Sequence, residues 1–102
     1  MGKHATFWKM QVKPGQLDAL QALMTDPATE AGMKARGWQM DIVGVSKNNP
    51  NEVWGAVVWD TSERYYANAE SPEQNAMYEK MRALLAADPE WFDCDLLSES
   101  RA

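Results

Sequence analysis

Side chains that could do acid–base chemistry at neutral pH are few in this chain. His4 is the only histidine, and histidine alone has an ordinary pKa near neutrality. It stands at the N-terminal end, where chains commonly fray, so its plainer reading is a terminal residue without a role. Cys94 is the only cysteine. It alternates with Phe92 and Leu96, as an inert core thiol would, and a Cys94–His4 nucleophilic pair would need the N-terminus folded against the last strand. Tyr65, Tyr66 and Tyr78 carry hydroxyls that a ligand could use. Of these, Tyr65 reads as packing, Tyr66 as outward-facing, and Tyr78 as equally suited to wall or core. Trp8, Trp38 and Trp54 can stack on a flat aromatic ligand, with Gly44, Gly55 and Ala56 leaving room above the middle strands. Alternatively the tryptophans fill that space themselves, as ordinary packing. Glu90, Asp93 and Asp95 make a poor oxygen cage for calcium. Asn48-Asn49-Pro50-Asn51 lacks the glycines of a phosphate loop. No general base can be named from residue types, and no metal or cofactor is expected.

The chain has 102 residues, which fits one domain spanning 1–102. It carries five Trp, three Tyr and two Phe. Each packed aromatic hides about 150–250 Å², more than a core this small readily covers, so a second subunit or a ligand is expected to cover part of that surface. The formal charge is −5 and the basic residues are scattered; binding to nucleic acid or to an acidic membrane surface is not expected. No apolar run approaches the ~20 residues of a membrane span, and no signal-peptide core is visible. With one cysteine and no internal disulfide, a cytoplasmic setting is expected.

The elements that must position these side chains follow from periodicity. Residues 5–12 alternate as a strand, and Lys13-Pro14-Gly15 is a turn. Residues 16–24 switch to helical spacing, with Leu17, Leu20, Leu23 and Met24 on one stripe. Asp26-Pro27 marks a break, and residues 29–36 form a second helical piece that ends at Gly37. Residues 38–47 and 52–59 are strands joined through the Asn48–Asn51 turn cluster. Residues 62–87 are helical, interrupted at Ser71-Pro72 because proline fits a first turn but not an interior. Met77, Met81, Leu84 and Leu85 supply its apolar face, and Asp88-Pro89 ends it. Residues 91–97 are the last strand. The order βαββαβ, with a split helix in each half, is an α+β ferredoxin-like arrangement: an antiparallel four-stranded sheet with helices on one face.

Alternation predicts two sheet faces. Trp8, Met10, Val12, Met40, Ile42, Phe92, Cys94 and Leu96 form an apolar set suited to packing under the helices. Phe7, Lys9, Gln11, Asp41, Val43, Val45, Trp91 and Leu97 form a mixed set on the other side. That second face is too apolar for full exposure, so a homodimer with two sheets face to face is expected, with twofold symmetry as the default.

Two stretches carry a family resemblance. One is the Val12-Lys13-Pro14-Gly15 turn. The other runs from Glu52 to Met77: a strand closing at Trp59, then Asp60, Thr61 or Ser62 as a helix cap, Tyr65 six residues after Trp59, then Ser71-Pro72. Gly37, before the second strand, adds to them. Together they resemble the antibiotic biosynthesis monooxygenase-like family of dimeric α/β barrels. The resemblance implies a cleft between sheet and helices. It also implies monooxygenation, without metal or flavin, of a small aromatic or polyketide-like substrate. In such chemistry the substrate supplies the electrons once deprotonated, and the protein supplies a dry pocket, a base or hydrogen-bond partner, and oxyanion stabilisation. The haem-degrading branch is not implied, because its required Asn, Trp and His fall here on Trp8, Asn68, and Met77 or Tyr78. Many oxygenase-like relatives carry a histidine at the place of Asn68. An amide takes no proton at neutral pH, so Asn68 is expected either to hydrogen-bond a phenolate or peroxide, or to be a solvent-facing helical residue. The candidate pocket residues are Trp8, Trp54, Asn68 and Tyr78. The alternatives to a cofactor-free monooxygenase are a non-catalytic small-ligand-binding dimer and an isomerase or cyclase on the same scaffold.

Overall fold

A computed structural model describes residues 2–102. The order is β1 (His4–Gln11), α1 (Leu17–Met24), α2 (Pro27–Arg36), β2 (Trp38–Val45), β3 (Glu52–Trp59), α3 (Ser62–Ala69), α4 (Pro72–Arg82) and β4 (Glu90–Asp95). The strands form one antiparallel sheet in the order β2-β3-β1-β4. This is the expected α+β ferredoxin-like fold.

Local chemistry sets the helix ends. Asp26-Pro27 starts α2 rather than merely breaking the chain: Asp26 accepts from the Thr29 amide at 3.0 Å, and Pro27 occupies the first turn. Thr61 accepts from the Arg64 amide to begin α3, and Ser71 accepts from the Gln74 amide to begin α4. Gly37 closes α2 at φ +122°, and a Cβ there would lie 2.5 Å from Asp60 Oδ1. Helix α4 stops at Arg82, short of the expected Ala87. The chain beyond it pairs with the end of β1 instead: Lys13 N–H donates to Leu84 O, Ala86 N–H donates to Gln11 O, and Val12 bridges Leu85.

The core lies between the sheet and the helices. It gathers Trp8, Met10, Val12, Leu20, Val53, Met81 and Leu85, with Leu17, Met24, Met77 and Tyr78 packed against them. The helical methionines therefore serve mainly as core filling.

The register corrects half of the expected face assignment. Residues paired across antiparallel strands point to the same side. Trp8 pairs with Gly55 and Trp91, and Gly55 pairs with Val43, so these residues face the helices. Phe7 pairs with Ala56 and Phe92, and Ala56 pairs with Ile42, so these face away. Strand β1 keeps its expected faces. In β2 an irregularity between Trp38 and Met40 shifts the phase, which sends Met40 and Ile42 outward and Asp41, Val43 and Val45 inward. In β4 the pattern is apolar in both phases, and pairing with β1 selects Trp91, not Phe92, for the inner side. Cys94 pairs with Ala5 and is exposed on the outer face, not a core thiol. The outer face is the more apolar of the two possibilities: Phe7, Ile42, Trp54 and Phe92 are all exposed there, Ile42 at 63%.

Trp8 crosses over Gly55 so closely that a Cβ at position 55 would overlap its indole. The small residue does not leave an open space; the indole occupies it. Gly55→Ala should therefore dislodge Trp8 and destabilise the fold by about 1–3 kcal/mol, as overpacking does. Urea unfolding together with the tryptophan emission of the folded state would register both effects. Gly44→Ala meets no heavy atom within 4 Å and should leave the emission unchanged.

Candidate functional site

A cavity of about 400 Å³ opens between the inner sheet face and helices α2, α3 and α4. Its aromatic walls are Trp8, Trp59, Tyr65, Tyr66, Tyr78 and Trp91, and its polar groups include Asn68, Gln74 and Asp93. Three of the four expected pocket residues, Trp8, Asn68 and Tyr78, come together here. Trp54 does not join them. It pairs with Lys9 and therefore points to the outer face, where the Lys9 ammonium lies 5.0 Å from its ring and its Nε1–H donates to Glu52 Oε2.

Asn68 is buried rather than solvent-facing. It is 6% exposed. Its Oδ1 accepts from Arg36 Nε at 2.9 Å, and its Nδ2 donates to Gln74 Oε1 at 3.3 Å. The amide thus ties α2, α3 and α4 at the cavity wall. It retains one N–H for a ligand.

The polar end of the cavity holds a hydrogen-bonded chain absent from the expected site. His4 belongs to β1 rather than to a frayed terminus and is 2% exposed. Its ring stacks on Tyr65 with centroids 4.1 Å apart. Thr6 Oγ1 donates to Asp93 Oδ1 at 2.8 Å, and Tyr66 Oη donates to Asp93 Oδ2 at 3.0 Å. The Thr6 proton is thus committed to the carboxylate, so His4 Nε2–H, 2.7 Å from Thr6 Oγ1, is the donor in that pair. His4 Nδ1 then accepts from Ser62 Oγ at 2.9 Å. Tyr66 is exposed, as expected, yet its ring also lines the cavity and its hydroxyl reaches across to β4. The N-terminus does fold against the last strand, with His4 opposite Asp95, but Cys94 is on the other face and forms no pair with His4. Glu90 likewise faces away from Asp93 and Asp95, so these three carboxylates do not converge.

Burial pushes the His4 imidazole below its ordinary pKa, against the opposing pull of the Asp93 and Asp95 carboxylates. The Tyr66 phenol is raised, chiefly by its bond to the Asp93 carboxylate, and the Tyr65 phenol is raised by burial. Among the described residues no cluster of three His, Cys, Asp or Glu side chains is arranged to hold a metal ion. No helix among them is long and apolar enough to cross a membrane.

Sequence reasoning missed Thr6, Tyr66, Trp91 and Asp93 as site residues. For Thr6, Trp91 and Asp93 the signal is a matched spacing: polar and aromatic residues at 4, 6 and 8 on one strand and at 95, 93 and 91 on its neighbour. It becomes legible once Trp91 is placed opposite Trp8.

No family model matches this sequence, and no curated protein matches it. Solved structures do. A protein named as an antibiotic biosynthesis monooxygenase from Chloroflexus aurantiacus superposes with a TM-score of 0.77 at 26% identity, over 98% of each chain. One of the same name from Caulobacter crescentus gives 0.80 at 13% identity, over 95% of this chain and 92% of that one. SnoaB, a cofactor-independent oxygenase from Streptomyces nogalater, gives 0.77 at 14% identity, over 97% of each chain. The architecture is therefore that of the structures named antibiotic biosynthesis monooxygenases.

The buried neutral His4 makes stability depend on pH. Its folded pKa lies below the ordinary 6.5, so the unfolded chain binds the proton more readily. This contribution is fully present above about pH 6.5 and is lost as the pH falls toward the folded pKa. The melting temperature of the wild type should fall across that window, and that of His4→Gln, compared with its own value at neutral pH, should fall less. Thermal melts at a series of pH values would check this.

Proposed function

We propose that the cavity binds a small aromatic or polyketide-like molecule and oxygenates it without a cofactor. The observation that carries this reading is the composition of the cavity: six aromatic side chains around about 400 Å³ with three amides and a carboxylate among its lining. Such a site offers flat apolar contact for an arene and a few polar groups to orient it. The likeness to SnoaB, itself described as a cofactor-independent oxygenase, supports the reaction class. At an activated methylene, the substrate and one dioxygen molecule give the corresponding ketone and one water. Proton loss leaves an electron-rich carbanion, a C–O bond forms with dioxygen, and the resulting hydroperoxide loses water as its C–H and O–O bonds break. One oxygen atom stays in the new carbonyl and the other leaves in the water. The protein is asked to exclude water, orient the ring and manage the proton.

The working unit we propose is a homodimer of this one domain, packed through the outer sheet face. Phe7, Ile42, Trp54 and Phe92 leave that face too apolar for solvent, and a two-fold axis would bring the patch against its own copy.

Two measurements test these statements. Oxygen uptake with anthrone or a hydroxynaphthalene should occur in the wild type and drop at least about tenfold in Trp8→Ala, which removes a cavity wall. Ligand binding without uptake or product change would favour a non-catalytic binding dimer, and a changed carbon skeleton without uptake an isomerase or cyclase. In sedimentation, Ile42→Lys should shift the protein from dimer to monomer. A wild type that is monomeric at micromolar concentration would overturn the dimer.

A further inference from the structure

We propose that Asp93 is the catalytic base of the cavity, positioned by Thr6 and His4 behind it, and that it selects aromatic ligands presenting a protonated acidic O–H or enolisable C–H. The role rests on the cavity taking an aromatic ligand.

Geometry carries the assignment. Asp93 lines the cavity between Tyr66 and Trp91, and its side chain keeps 41% exposure. Each carboxylate oxygen accepts one protein hydrogen bond, from Thr6 and from Tyr66, which leaves lone pairs on both for a ligand proton. Behind it, every donor points the same way: Ser62 to His4, His4 to Thr6, Thr6 to Asp93. A buried imidazole costs free energy unless both nitrogens are bonded, and here both bonds serve to aim one hydroxyl at one carboxylate. Thr6 is itself fully buried, so water does not compete for its hydroxyl.

Asp93 has no lysine or arginine ion-pair partner among the described residues. Asp60 pairs with Arg64, and Asp88 pairs with Arg82. No lysine or arginine is among the residues lining the cavity. The charged and titratable groups facing Asp93 are His4 on its own sheet face, Tyr65 and Tyr66 from α3, and Asp95 along β4. With no lysine or arginine lining the cavity, a ligand anion beside Asp93 meets the carboxylate as a like charge, while a neutral acid can donate to it. Asp93 then takes the proton, and the electron pair stays on the ligand as its enolate or carbanion. The Tyr66 hydroxyl is released from the now neutral carboxyl and becomes available to the new oxyanion. After C–O bond formation with dioxygen, the same proton returns to the peroxide.

Two readouts on the wild type and on Asp93→Asn, Thr6→Val, Thr6→Ser and His4→Gln separate this role from the oxygenase reading. The first is the absorbance of bound 4-nitrophenol, titrated between about pH 5 and 9, a span across His and phenol ionisation. The wild type should bind the neutral phenol in preference to the phenolate, and Asp93→Asn should weaken that preference by about tenfold or more. Thr6→Val should weaken it partly and Thr6→Ser restore it, an outcome that a merely structural role for the hydroxyl does not give. His4→Gln should shift the pH profile toward that of Thr6→Val. The second readout is oxygen uptake with anthrone, where Asp93→Asn should lower kcat by about 10²-fold, the low end for a positioned base. If the nitrophenol preference depends on Asp93 while no variant takes up oxygen, the oxygenase falls and the proton-acceptor role stands. If the preference is the same in the wild type, Asp93→Asn and Thr6→Val, or if no phenol binds the wild type, the proposal is overturned.

Discussion

Strand β1 lies second from one edge of the sheet, between β3 and β4, and its two-residue alternation organises most of the molecule. Its inner residues are His4, Thr6, Trp8 and Met10, continued by Val12, and every one is buried. Met10 and Val12 build the core under α1 and α4, Trp8 forms the wall between core and cavity, and Thr6 and His4 aim at Asp93. One strand thus grades from oily to polar along its length. A slip of one residue would turn all five outward together. The close seating of Trp8 over Gly55 pins this phase, because no other residue at position 55 leaves space for the indole.

The helices complete the site through their ends more than their faces. The break at Ser71-Pro72 gives α3 and α4 separate directions, with Asn68 at the elbow. Its side chain bonds to Arg36 and Gln74, while its backbone carbonyl accepts from the Ser71 hydroxyl at 2.7 Å. A buried amide held this way contributes specificity of geometry, since loss of either partner leaves a desolvated polar group. The aromatic lid above it comes from α3, where Tyr65 stacks on His4 and meets Trp59 edge-on at 6.1 Å. Core, elbow and lid are separate packing problems that share one cavity.

The outer face answers a different demand. Apolar residues from all four strands leave it unlike the solvated face of an ordinary antiparallel sheet. The inner face carries the polar network and the outer face carries exposed aromatics, the reverse of a simple inside-outside rule. The reversal is consistent with a ligand site on the helix side and a covered sheet on the other.

The element order, the Thr61 cap and the restart at Ser71-Pro72 were legible in the sequence because each depends on neighbours within four residues, Thr61 on Arg64 and Ser71 on Gln74; the Asp26-Pro27 pair was legible only as a break, and the structure shows it capping α2. The face of β1 was legible too, since Trp8, Met10 and Val12 alternate with polar neighbours at Lys9 and Gln11. Tertiary structure alone decided the phases of β2 and β4. In β4, Trp91 and Phe92 offer an aromatic to either side, and local pattern has no way to choose; hydrogen-bond register with β1 chooses. That choice turned Cys94 out and brought Asp93 in, and the β3 register separated Trp54 from Trp8. It also converted His4 from a terminal residue into a buried one. The site was hidden from the sequence for this physical reason: its acid–base groups lie at opposite ends of the chain and meet only across paired strands, where contact depends on register and not on spacing.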